Sequence, residues 1–305
     1  MARERKTSYA PAAQITDNDL RVMAFLWQAR CADTGNVANL GLYSTKNGSL
    51  AGVFKRLRKL EEAGFLRSYR LPMPVFNELT DKNGRITNRL VEDTRRIWLL
   101  RGKGIKELRK TGADEYQSGT SPYNQAQRLA PQPANFAHEV FALWAAQALA
   151  ARLTDDEHVC RIVASEHQLR KQQAKAESKQ GFYAFGGAAT PGGSKVNPDW
   201  ALELTDTTTG KKRFLALEHD QGSYHRRDLC RKLDVINGED DYWNEVAEGY
   251  DDGIELWLIG ANATVSARHK RWLRQEIGGE YSKLRDRVRF RSLRELMGGD
   301  AYDAM

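Results

Sequence analysis

Cysteine is scarce and spaced for neither disulfide nor metal chemistry. Cys31, Cys160 and Cys230 are the only three in 305 residues, odd in number, far apart and without a C-x-x-C pair. That pattern argues against a disulfide framework or a cysteine zinc site and implies a reducing, cytoplasmic setting. Long apolar runs are missing too. A membrane-spanning helix needs ~18 or more apolar residues in a row, and the longest candidate, Phe141 to Leu153, is interrupted by Gln147 and Arg152. The opening M-A-R-E-R-K-T has no apolar segment of the secretory kind, so no signal peptide and no membrane partner are expected. There is no internal repeat. The glycine-rich stretch 181–195 lacks the GK[ST] ending of a phosphate-binding loop and reads as a mobile loop over a site. An RNP-type aromatic signature is also absent, which leaves RNA processing a distant reading.

What the chain does have is charge, unevenly spread. Residues 1–110 carry 22 Lys and Arg against 11 Asp and Glu, a net of +11, whereas the remainder carries 25 against 29, a net of −4. A basic front half points to nucleic acid there. Hydrophobic residues at 41% are enough for real cores, and the length makes two domains the default.

The front half reads as follows: a flexible basic leader over 1–15, then a capping box, Thr16-Asp17-Asn18-Asp19, opening a helix with Leu20, Met23, Leu26 and Trp27 at helical spacing. A short helix or turn lies within 32–41. A third helix runs from Asn47-Gly48-Ser49 to Ala63, with Leu50, Val53, Leu57 and Leu60 on one face and Lys55, Arg56, Arg58 and Lys59 away from it. Gly64 ends it. A strand from Phe65 to Leu71, a turn at Asn83-Gly84 and a strand from Arg95 to Arg101 make a long hairpin, followed by a helix over 103–111. Three helices and then a hairpin is the order of a winged helix-turn-helix, here over residues 16–111. Its third helix would contact double-stranded DNA through Lys55, Arg56, Arg58 and Lys59, and its hairpin through Arg67 and Arg85.

A polar segment, 112–134, with Pro122, Pro131 and Pro133, reads as a linker. The second domain, 135–305, is expected to run helix, strand, loop, strand, strand, helix, strand, helix, strand, a mixed sheet with its site at one edge. His138-Glu139 begins the first helix. In N-P-D-W-A-L-E-L and K-R-F-L-A-L-E-H-D, Trp200 to Leu204 and Arg213 to Leu217 read as buried strands joined by a turn over Thr205 to Gly210. Asp199 opens one strand and Glu218 closes the next, so two carboxylates 19 residues apart reach one end of a sheet. Beside a lysine, such a pair can hold a divalent cation and activate water on a phosphodiester.

The order winged helix, proline-rich linker, His-Glu at a helix start, Pro198-Asp199 before a strand, then L-E-x-D ending at Asp220 and a helix carrying Lys232-Leu233 resembles the replication-relaxation family of plasmids, phages and integrative elements, over about residues 16–260. The resemblance implies an α/β (α+β overall) chain with a PD-(D/E)xK restriction-endonuclease-like second domain, and a role in DNA nicking during replication or mobilisation, alongside other replication or conjugation proteins. It matches Asp199 and Glu218 to the two acids, with Mg²⁺ or Mn²⁺ as cofactor. Asp220 stands where the nuclease pattern has lysine, and Lys232, on the next helix, is expected to reach back to supply the ammonium. Glu166 is the candidate third carboxylate, with Asp220 as alternative. Because some relatives are relaxases, Tyr224 becomes a candidate nucleophile. His219 and His225, six apart, match no strong metal motif. The displaced lysine also sustains the alternative of a non-catalytic origin or regulatory DNA binder on a degenerate nuclease fold.

Overall fold

The computed structural model describes residues 14–45, 49–80, 86–113, 116, 133–166, 168–169, 197–234, 236, 246–277 and 282–298. Most of the expected leader and of the linker, the Asn83-Gly84 turn with Arg85, and the glycine-rich loop 181–195 lie outside them. The fold is α+β, with two separate sheets. The chain divides into two compact units, Met1–Met73 with Asp93–Phe136, and Pro74–Glu92 with Ala137–Met305.

In the first unit, α1 (Asp17–Ala29) starts at the capping box: Asp19 N–H donates to Thr16 Oγ1 (3.3 Å) and Thr16 N–H to Asp19 Oδ2 (2.8 Å). Two-residue β1 (Ala32–Asp33), which the sequence reading does not contain, leads into α2 (Thr34–Ala38). α3 (Ala51–Glu62) buries Val53, Leu57 and Leu60 and stops before Gly64, whose φ of 83° favours a residue without Cβ. β2 (Leu66–Thr80) and β3 (Ile86–Leu100) are neighbours in a three-stranded sheet of order β1-β3-β2, and α4 (Gly102–Lys110) follows. A Cβ at Gly104 would lie 2.7 Å from Phe65 O, so only glycine lets α4 approach this closely.

The larger segment of the second unit begins within α5 (Pro133–Leu153), which is apolar nearly all round, and continues with β4 (His158–Ser165), β5 (Trp200–Asp206) and β6 (Lys212–Asp220). α6 (Arg226–Asp234), β7 (Ile254–Gly260), α7 (Ala263–Ile277), a 3₁₀ turn (Ser282–Arg287), β8 (Val288–Ser292) and α8 (Leu293–Met297) complete it. The sheet order is β4-β5-β6-β7-β8. Its first three strands are mutually antiparallel, and β7 and β8 run parallel to β6. Parallel strands need crossovers, supplied here by α6 and α7. Every residue of β7 is buried, as befits a strand covered on both faces.

Alternation along β6 decides what each side chain meets. Phe214 and Ala216 join Leu229 and Leu233 of α6 and Leu273 of α7 in one core, so Glu218 and Asp220 share that face. His219 points the other way, with its ring 6.0 Å from that of His138 and 6.3 Å from that of Phe141, both on α5.

Candidate functional site

The β-ladder lines up three acids. Ser165 pairs with Trp200 and Trp200 with Leu217, so the next row holds Glu166, Asp199 and Glu218. Glu166 N–H donates to Asp199 O (2.9 Å) at that row. The register shifts between Ile162 and Ala164 of β4, a bulge of the kind found beside functional sites.

Asp199 and Glu218 are each matched by a cation. Asp199 Oδ1 lies 2.9 Å from His138 Nε2 on α5, and its Oδ2 accepts the His219 backbone N–H (2.7 Å). Glu218, 2% exposed, takes the Lys232 ammonium on Oε1 and the Tyr224 hydroxyl on Oε2 (2.7 Å). The Lys232 ammonium also lies 5.1 Å from the centre of the Tyr224 ring. α6 carries Lys232 back over the strand that has just ended.

The two acids respond oppositely. Burial pushes Glu218 above the usual carboxylate range; Lys232 opposes this and the charge of Asp199 adds to it. Burial would raise Asp199 as well, but the charge and hydrogen bond of His138, with Lys232 and the His219 N–H, outweigh it and hold Asp199 low. His138 moves up to about 9 because Asp199 overcomes the penalty of burial, so it is an imidazolium at neutral pH. Its side chain is 36% exposed, and solvent screens this pair more than the Lys232–Glu218 pair. His219, fully buried, is pushed down to about 4 by burial and by the His138 charge, and it stays neutral. Burial and then Glu218 lift the Tyr224 phenol far above its ordinary value.

Asp220, two residues on, stands apart. Its Oδ1 accepts the backbone N–H groups of Gly222, Ser223 and Tyr224 (2.7, 2.8 and 3.1 Å), and its Oδ2 meets Arg268 Nη2 (2.9 Å) and His269 Nε2 (2.8 Å). These contacts outweigh burial and keep it ionised well below the carboxylate range. With five donors on two oxygens, this carboxylate fixes the turn after β6 and ties it to α7; it is placed as a clamp, not as a third ligand. Arg268 and His269 carry no local sequence signal, since they meet Asp220 only through the β7–α7 crossover. His225 is also outside the cluster: it is exposed, and its N–H goes to Asp228 Oδ2 (2.8 Å).

The basic residues of the first unit divide in the same manner. Arg56 is committed inward: its guanidinium grips Asp19, which is 0% exposed and also accepts the Tyr43 hydroxyl (2.7 Å). Burial would raise Asp19, but Arg56, Tyr43 and Thr16 bring it to about 2. Arg56 therefore holds α3 to α1 and is not displayed to a ligand. Arg58 pairs with Glu61 (2.5 Å) and Glu62 (3.5 Å). Lys55 and Lys59 are exposed, as is Arg67, whose guanidinium lies 4.6 Å from the Tyr69 ring centre.

Among the described residues no group of three or more His, Cys, Asp or Glu side chains is gathered to hold a metal. The donor chemistry nonetheless fits a magnesium-like ion. Such ions are commonly held by one or two carboxylates, with waters and substrate phosphate supplying the rest, and Asp199 and Glu218 are all-oxygen donors in one row. No helix among the described residues is long and apolar enough to cross a membrane. Comparisons with protein-family models, curated proteins and solved structures return no match.

Proposed function

We propose that this chain is a DNA-binding protein of a mobile element that cuts or processes DNA at a chosen site, with the first unit acting as a winged helix and the second as a PD-(D/E)xK-like nuclease of the replication-relaxation kind. The observation that carries this reading is the row of half-buried Asp199 and buried Glu218 at the end of the central strands, with the Lys232 ammonium seated on Glu218. Asp199 and Glu218, with Glu166 in the same row, would hold Mg²⁺ or Mn²⁺, which supplies Lewis-acid polarisation of the phosphate. Lys232 offsets charge that develops on the phosphoryl oxygens. His138, cationic and open on one side, presents a proton to a leaving oxygen. Tyr224 donates its hydroxyl in a hydrogen bond to Glu218, the placement of a nucleophile beside its base.

Purified protein, supercoiled DNA carrying the element's own origin, and Mg²⁺ or Mn²⁺ test this reading. Nicking is expected, and Asp199→Ala should lower it by roughly 10²–10³-fold, the scale of losing a group that stabilises the transition state. Absence of nicking, or nicking indifferent to Asp199→Ala, rejects the catalytic assignment. A cut strand that stays on the protein, with both the cut and the adduct lost in Tyr224→Phe, would mark tyrosine attack; free ends would mark water.

One observation favours a second reading, a non-catalytic origin or regulatory binder. Asp199 and Glu218 each already have a cation, His138 and Lys232, so this pair is charge-balanced as it stands. Under that reading, biological function survives Asp199→Ala and is lost in Lys55→Ala with Lys59→Ala.

A further inference from the structure

Only three large hydrophobic side chains are exposed among the described residues, and two of them, Leu50 (42%) and Phe54 (37%), sit one turn apart at the start of α3. Single exposed hydrophobics are ordinary, but this pair is adjacent and rigidly mounted. Phe54 rests edge-on against Trp98, ring centres 6.0 Å apart. Trp98 is itself 0% exposed, and its indole N–H donates to Thr34 Oγ1 (3.0 Å). The Arg96 guanidinium stands 5.3 Å from the Phe54 ring and 5.7 Å from the Trp98 ring, and it is tied to Ser68 Oγ (3.1 Å). At Gly52 an added Cβ would lie 3.0 Å from Ser44 O, so the helix start is also closely backed. The inner side of the Phe54 ring is therefore fixed while the outer side stays open.

The surroundings indicate what covers it. Lys55 and Lys59 are exposed on the adjoining stripe of the same helix, and the front 110 residues carry the net +11. Cations flanking an apolar pair match a DNA major groove, where phosphates lie to the sides and the one apolar group on a base edge is the thymine methyl. We infer that Phe54, with Leu50, reads thymine methyls in the major groove while Lys55 and Lys59 hold the backbone. This deepens the reading of the first unit as a duplex binder and rests on it.

Replacing thymine by uracil removes that methyl and nothing else. Full-length protein would enrich a duplex from a random-sequence pool, and the enriched duplex would be made with dT and with dU. Wild type should lose about fourfold in affinity for each methyl read, the worth of one buried methylene-sized group. Phe54→Ala should bind the dT duplex as weakly as wild type binds the dU duplex, and should no longer distinguish the two. Leu50→Ala, at a side chain that is 42% exposed, should lose part of the discrimination and keeps the test valid if Phe54→Ala does not fold. Equal wild-type affinity for dT and dU duplexes overturns the inference, as does methyl sensitivity that persists in Phe54→Ala. So does a change in self-association by sedimentation in both variants with duplex binding intact, which would make the pair a protein contact. Failure to enrich any duplex sinks the DNA-binding reading itself, a distinct result.

Discussion

Glu218 and Asp220 lie two residues apart on one face of β6, both almost fully buried, and their surroundings drive them in opposite directions. Asp220 is surrounded by donors: three backbone amides in fixed turn geometry, an arginine and a histidine. Glu218 has one ammonium on a long stem and one phenol, with a second carboxylate nearby. Burial penalises both equally in kind; the number and rigidity of donors decides the outcome. The first arrangement locks a turn. The second leaves a carboxylate held by two side chains alone and shifted toward its protonated form.

Breaking each carboxylate separately tests this contrast. Asp220→Ala should have the largest effect on folding, costing about 3–5 kcal/mol, because His269 would be left buried, and Arg268 half-buried, without their shared partner. Urea denaturation of the purified variant measures it, and a loss under ~1 kcal/mol would dissolve the clamp. Glu218→Gln should do the reverse: nicking falls by roughly 10²-fold or more, while the urea midpoint moves far less than in Asp220→Ala. If the two variants shift stability alike, the contrast between them fails.

The smallest effect is the pH profile, where the two histidines beside the acids act with opposite sign. His138 binds its proton more tightly folded than unfolded, so its contribution is complete below about 6.5 and disappears as pH rises through about 9. His219 is held neutral, so stability falls as pH drops from about 6.5 toward 4, where the unfolded chain takes up the proton first. Urea midpoints across pH 4–10 should peak near neutrality. His138→Gln should flatten the alkaline limb, and it also removes the charge that pushes His219 down on the acid side; an unchanged alkaline limb would remove His138 from the account.

How much of this is legible in sequence depends on range. The Thr16–Asp19 box, the Val53, Leu57 and Leu60 stripe of α3 and the turn at Thr205–Gly210 are local patterns that stand where periodicity puts them, whereas Leu50, expected on the same stripe, is the N-cap residue and is exposed. The seating of Asp199 beside Glu218 follows from that turn and from alternation alone. Two-residue β1 is too short to leave a pattern, and β2 and β3 extend beyond the apolar runs that signal them. Charged partners are the least legible. Arg56 reads as a surface cation until it meets Asp19, 37 residues earlier, and Asp220 reads as a ligand until α7 brings Arg268 and His269 against it. A charge in sequence carries no sign of its counter-charge, and only the fold assigns one.

The Thr205–Gly210 turn has a reach that its composition does not suggest. Asp206 Oδ1 collects the N–H groups of Thr208 and Thr209 (2.8 and 2.9 Å), and Gly210, at φ 72°, closes the loop back onto Asp206 O. Roughly 20 Å away, at ~3.4 Å per residue, the rungs begun here end at Asp199 and Glu218. One residue inserted in this loop would slide β6 along β5 by a single rung, turning Glu218 toward α5 and setting Leu217 in its place beside Lys232. The loop is thus a spacer that sets, from the opposite edge of the sheet, which side chain greets the ammonium.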